Sequence, residues 1–136
     1  PIWKIVAGHH PIHSYGKHSR AAGDSGPMAA IAGALIAAHV DLYLSGHDHN
    51  QQLIVRDGEP VYLINGAGGG GLYKMRGQSP DLRVDREGYG FASVQADAKT
   101  LAIEFFDVAP RSIARYTLSR ACAAAPANCL EAAPRP

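Results

Sequence analysis

No stretch of the chain approaches the roughly 20 apolar residues that a membrane-crossing helix needs. Residues 28–40 are alanine-rich, but the segment is short and carries His39 near its end. Nor is there a basic stripe or a cluster of Lys and Arg. A formal charge of +1 gives no electrostatic case for nucleic acid or an anionic membrane surface, while small anionic substrates remain open. Charged residues make up only 18% of the 136 positions, against 46% hydrophobic ones, a balance that fits one folded domain with a real core. Cysteine is scarce too: Cys122 and Cys129 stand close together in an Ala/Pro-rich tail. A small-loop disulfide formed in an oxidising compartment is the preferred reading over two unpaired thiols, and it points to export, either secreted or periplasmic. No signal peptide is present, yet the chain opens at Pro1 without methionine and enters strand-like sequence at once. A fragment or processed chain is therefore the expectation.

What the chain does have is histidine in a pattern. Gly46-His47-Asp48-His49 follows the apolar run 40–44, and Val6-Ala7-Gly8-His9 ends another apolar run. Two imidazoles one residue apart, with a third arriving from a different strand end, suit a transition metal, and the outer two of an x-H-x-H loop can face two ions. His9, His47 and His49 are the candidate metal ligands. Asp48 could orient a ligand ring from behind, and a plain surface aspartate is as good a reading. His18, in the loop past His9, is the candidate to sit over a bound anion and donate a proton. His10, His13 and His39 lack partners at convincing spacing and read as ordinary loop or surface residues.

Residues 2–8 read as a buried strand leading into the His/Gly/Ser-rich loop 9–25. Pro27 suits a first helical turn, with Asp24 or Ser25 as caps, and helix is expected to about His39 before a second strand at 40–44. Strand, helix, strand is a βαβ unit, whose right-handed crossover makes the two strands parallel and sends His9 and His47 off the same edge. Ligand sites in open α/β sheets gather there. Beyond it the chain turns antiparallel. Segments 52–56 and 60–64 flank the turn Asp57-Gly58, and 90–96 and 100–108 flank Asp97-Ala98-Lys99. Residues 113–118 read as the last strand of a domain spanning 1–120, with 121–136 a poorly packed tail. The fold class is α/β of α+β sandwich type.

The glycine run 66–71 lacks the lysine and hydroxyl of a nucleotide loop, G-x-x-x-x-G-K-[ST], so backbone passing close to the site is the better explanation for it. Asn65 and the amides of 66–71 then line the site without being ligands.

Together, Val6-Ala7-Gly8-His9-His10-Pro11, His18, Tyr43 through Gln51 and Asn65-Gly66-Ala67-Gly68 closely resemble the C-terminal half of calcineurin-like metallophosphoesterases. The likeness is strongest to purple acid phosphatases of the small, tartrate-resistant style. It implies a β-sandwich flanked by helices and a metal-dependent phosphoric monoester hydrolase. It also implies a dinuclear centre of Fe(III) with Fe(II), Zn(II) or Mn(II): His9 and His47 on the divalent ion, His49 on the ferric ion, and His18 against the substrate phosphate as proton donor. Of the family's five motifs, D-x-G, G-D-x-x-Y and G-N-H are absent; Gly23-Asp24-Ser25 resembles the start of the second, but Pro27 replaces its tyrosine. The chain is therefore expected to carry half an active site and to need an N-terminal partner segment for catalysis. A phosphodiesterase of the same superfamily and a non-catalytic metal-binding fragment are the alternatives.

Overall fold

The computed structural model describes residues 2–19 and 26–133. Two sheets pack face to face. The first has the order β1-β2-β4-β3-β5, from β1 (Ile5–Ala7), β2 (Leu42–Ser45), β3 (Gln51–Ile54), β4 (Val61–Asn65) and β5 (Leu82–Arg86). The second is β6 (Gly90–Ala96), β7 (Thr100–Asp107), β8 (Ser112–Ser119) and β9 (Leu130–Ala132), in chain order and antiparallel.

The βαβ expectation holds: β1 and β2 are parallel, with Ile5 opposite Leu42 and Ala7 opposite Leu44. The Asp57-Gly58 hairpin forms between β3 and β4, with Gly58 at φ 76°, and the β6–β7 hairpin forms around 97–99. After the hairpin, β4 returns beside β2 in parallel rather than continuing an antiparallel run. This places three strand ends, those of β1, β2 and β4, on one edge.

The first sheet buries both faces. Leu42, Leu53, Val61, Leu63 and Val84 face Leu101, Ile103, Phe105 and Leu118 of the second sheet. Tyr43, Ile54, Tyr62 and Ile64 point the other way, toward Ile12, Tyr15, Leu35 and Val40. A strand covered on both sides needs apolar residues at consecutive positions, as 42–44 and 61–64 have. Strand β7 is covered on one side only, so Leu101, Ile103 and Phe105 alternate with partly exposed neighbours. Each such side chain contributes about 1.5–3 kcal/mol on burial.

Two expectations change here. The first strand is short and largely exposed, because β1 is the edge of the described sheet and Ile5 is 42% exposed. The helix is 3₁₀ over Gly26–Ile31 and α only over α1 (Ala32–Ala37), where Leu35 is the buried residue. So short a helix with so little packing is marginal, and His39 at φ 52° ends it in the left-handed conformation. The proposed caps Asp24 and Ser25, like the Gly23-Asp24-Ser25 likeness, lie outside the described residues. Strand β5 carries only a short alternation, Leu82 and Val84 among Arg83, Asp85 and Arg86.

The tail also packs, contrary to expectation. Cys122 and Cys129 form a disulfide. The helical turn α2 (Pro126–Cys129) buries Pro126, and β9 pairs with β8, Leu130 opposite Leu118. Ala123, Ala127, Cys129 and Leu130 rest on the main core. Small residues that looked featureless in sequence are the ones that fit closely here.

Candidate metal centre

The edge formed by the ends of β1, β2 and β4 carries the histidines. Gly8 N–H donates to Leu44 O at 2.9 Å and Gly46 N–H to His9 O at 3.1 Å, tying the two histidine loops together. Across this seam His9 Nε2 and His47 Nδ1 lie 3.0 Å apart. His47 adopts φ 60°, a left-handed conformation uncommon for a side chain with a Cβ and often found where a loop aims a functional group.

Glycines let the loops close on one another. A Cβ on Gly66 would stand 2.2 Å from Asp48 O, and one on Gly70 would stand 2.6 Å from the His49 ring. These contacts account for part of the glycine run without any phosphate cradle. Asn65, expected along the site, buries its Oδ1 with no hydrogen-bond partner among the described residues.

The five histidines of this edge are not equivalent. His9 and His47 meet, and His10 joins them: ligand atoms of all three lie within 4.8 Å of one another. His10, expected as an ordinary loop or surface residue, is exposed in the loop after His9, with its ring centroid 4.3 Å from that of His47. His18 lies against the group as well, its ring centroid 4.1 Å from that of His47. His49 stands apart from the trio. It stacks on Tyr73, with centroids 4.1 Å apart and planes 13° from parallel, and its Nδ1–H donates to Gly71 O at 2.7 Å. That bond reserves Nε2 for another partner. Tyr73 in turn meets the His18 ring edge-on at 5.5 Å, so it separates His18 from His49.

Asp48 is fully buried, which decides between its two readings. Its Oδ1 accepts from His18 Nδ1–H at 2.7 Å and from His18 N–H at 3.2 Å. Ser14 Oγ donates to its other oxygen, and Gln52 Nε2 donates to Ser14 Oγ at 3.1 Å and to Asn50 Oδ1 at 2.8 Å. The aspartate thus holds His18 rather than a neighbouring metal-ligand candidate. With Nδ1 occupied, Nε2 is the nitrogen that His18 offers elsewhere.

Electrostatics at His47 favour the neutral imidazole. Burial lowers the pKa of His47, and the neighbouring His18, His10 and His9 lower it further, against an opposing pull from Asp48. A deprotonated ring is the form that binds a metal. Two nitrogens each about 2.1 Å from a common ion, at a right angle or somewhat wider, are themselves about 3.0–3.4 Å apart. The His9–His47 separation of 3.0 Å fits that figure, and the donor set is of the kind that suits Zn, Fe or Mn.

Of the remaining histidines, His39 is exposed at the end of α1. His13 differs from its reading as a loop or surface residue. It is 4% exposed, with Nε2 2.9 Å from Glu59 Oε2 and Arg56 close by, so it anchors the loop to the β3–β4 hairpin.

This two-sheet α/β body, with histidines gathered where parallel strands end, matches the metallophosphoesterase fold. The solved structure of a purple acid phosphatase from yellow lupin (Lupinus luteus) seeds matches it with a TM-score of 0.75 at 17% identity, over 86% of this chain and 25% of that one. No family model matches the sequence. Among curated proteins, purple acid phosphatase 4 of Arabidopsis thaliana is 32% identical over 123 residues, covering 87% of this chain and 35% of the relative. Tartrate-resistant acid phosphatase type 5 of Rattus norvegicus is 29% identical over 132 residues, covering 85% and 37%. This chain is a homologue of the purple acid phosphatases, and it spans about a third of the length of the curated relatives it matches.

Proposed function

We propose that the protein to which this chain belongs hydrolyses phosphate monoesters at a dinuclear metal centre, and that this chain supplies the histidine half of that centre. The observation that carries the reading is the meeting of His9 and His47, 3.0 Å apart at the ends of neighbouring parallel strands, beside a histidine anchored on a buried carboxylate. His9 and His47 would hold the divalent ion, Fe(II), Zn(II) or Mn(II), and His49, through Nε2, the ferric ion. The remaining donors would come from an N-terminal segment of the same enzyme.

When bound, the metal pair would supply positive charge to the phosphate oxygens and make water nucleophilic at mild pH. The chain's own contribution is proton transfer and positioning. His18 would donate from Nε2 to the departing alkoxide, a step that contributes about 10²–10⁴-fold in comparable sites. Asp48 keeps the His18 proton inventory and orientation fixed by accepting from Nδ1–H. Tyr73 packs between His18 and His49, limiting how far either ring can swing. Secretion or a periplasmic location fits the Cys122–Cys129 disulfide, and among the described residues no helix is long and apolar enough to cross a membrane.

The test uses the full-length protein. Metal analysis should find two ions per chain, with an aryl monoester hydrolysed well ahead of the matching diester. His18→Ala should slow alkyl phosphates far more than activated aryl phosphates. Preference for the diester would reassign the site to a phosphodiesterase, and metal uptake without turnover would leave a metal-binding fragment.

A further inference from the structure

A cavity of about 340 Å³ opens beside His47 and His18, far more space than one phosphate group fills. His10, Pro11, Met28, Lys17 and Ser19 also line it. Pro11 and Met28 offer apolar surface for a carbon skeleton, while Lys17 and Ser19 place a cation and a hydroxyl along the same wall. Among the described residues no carboxylate lines this space.

The position of Lys17 is structured although the side chain is exposed. Its Nζ stands 4.2 Å from the centroid of the Tyr73 ring, a contact of about 0.5–1 kcal/mol at an exposed site. Tyr73 is also stacked on His49, makes a T-shaped contact with His18, and donates its backbone N–H to His49 O at 2.9 Å. The ammonium is thereby parked on a ring that is itself registered to the histidine edge. Among the described residues Lys17 makes no ion pair besides this contact with the ring.

Building on the phosphomonoesterase reading, we propose that Lys17 determines specificity for phosphate esters whose alcohol portion carries a second anionic group, a phosphate or a carboxylate. The phosphate to be cleaved would lie toward His47 and His18. The carbon body would run over Pro11 and Met28, and the second anion would meet the ammonium of Lys17, with Ser19 Oγ as a further donor. An ammonium held on an aromatic face can reach a nearby anion with little loss of rotamer entropy.

The experiment compares phenyl phosphate with carboxyphenyl phosphate in the full-length, metal-loaded enzyme, for the wild type, Lys17→Met and Lys17→Glu. Comparing ratios across the variants cancels the difference in leaving-group reactivity. Lys17→Met should raise KM for the carboxylated substrate by about three- to tenfold, the range expected of a partly solvated charge pair. Its kcat should stay within about twofold, and phenyl phosphate should be unaffected. Lys17→Glu should extend the loss, and added salt should shrink the wild-type preference. Equal effects on both substrates, or none on either, would overturn the role of Lys17 while leaving the phosphatase reading standing. Failure of the wild type to cleave either ester would overturn both.

Discussion

Asp48 and His18 are joined twice at one carboxylate oxygen: ring Nδ1 at 2.7 Å and backbone N at 3.2 Å. The loop that carries His18 is therefore pinned, in both ring and backbone, to the residue between the two histidines of Gly46-His47-Asp48-His49. Asp48 cannot swap these partners for water, because it has no exposed surface.

Asp48→Asn tests that link. An amide presents one oxygen and one NH₂ where the carboxylate accepted on both sides, so His18 and Ser14 can no longer both donate to it. In the full-length enzyme kcat should fall by about 10²-fold for alkyl phosphates, approaching the effect of His18→Ala. A leaving-group series checks this, with activated aryl phosphates the least affected. A uniform loss across the series would mean that Asp48 acts on something other than proton donation.

Gly66→Ala should damage the metal edge by packing alone. Its Cβ would stand 2.2 Å from Asp48 O, and both contacting groups are backbone, so the G-H-D-H loop must move. A cost of about 1–3 kcal/mol is expected, read as a lower denaturation midpoint together with reduced metal content. Gly68→Ala is the control: its Cβ would meet nothing within 4 Å, and stability should stay within about 0.5 kcal/mol of wild type.

Asp81 should make part of the fold acid-sensitive. Burial by itself would raise its pKa, but hydrogen bonds from Ser79, Tyr15 and Arg56 outweigh burial and hold the carboxyl below its ordinary value. Tyr15 OH donates at 2.7 Å and Arg56 Nε at 2.6 Å. A carboxyl depressed in the folded state stabilises the protein above its unfolded pKa, about 3.9, and that stabilisation is lost as pH falls through the folded value. Urea midpoints measured from neutral pH to below about 4 should drop less steeply in Asp81→Asn than in wild type, from a lower starting point.

Removing the Cys122–Cys129 disulfide should loosen the end of the second sheet. The bridge closes a loop of sequence separation 7, for which chain entropy gives about 2 kcal/mol. In Cys122→Ser/Cys129→Ser, or in wild type under reducing conditions, amide exchange should quicken along β9 and at its partners Tyr116, Thr117 and Leu118. The histidine edge should keep its protection, since β9 pairs only with β8 among the described strands.

Much of this protein is written in local pattern. The apolar runs before Gly8-His9 and Gly46-His47, with a helical segment between them, were enough to make β1 and β2 parallel and to bring His9 to His47, because crossover handedness leaves one arrangement. Asp57-Gly58 and Asp97-Ala98-Lys99 declared their hairpins through turn chemistry. Other features depend on packing between distant positions. Asp48 could be a surface residue or a buried anchor until Ser14 and His18 were folded onto it, 34 and 30 residues away in the chain. His10 joins the trio and His13 leaves the surface because the loop bends, and nothing in the spacing of those histidines encodes the bend. Tyr73, the ring that separates His18 from His49 and carries Lys17, gave no signal in sequence, since stacking has no periodicity. Strand β9 had none either: its small neighbours gain meaning only against the core they fill. Local periodicity and turn residues set which elements exist and which edge the histidines share; long-range contacts alone decide which ring faces which, because side-chain partners are chosen by the packed shape and not by separation along the chain.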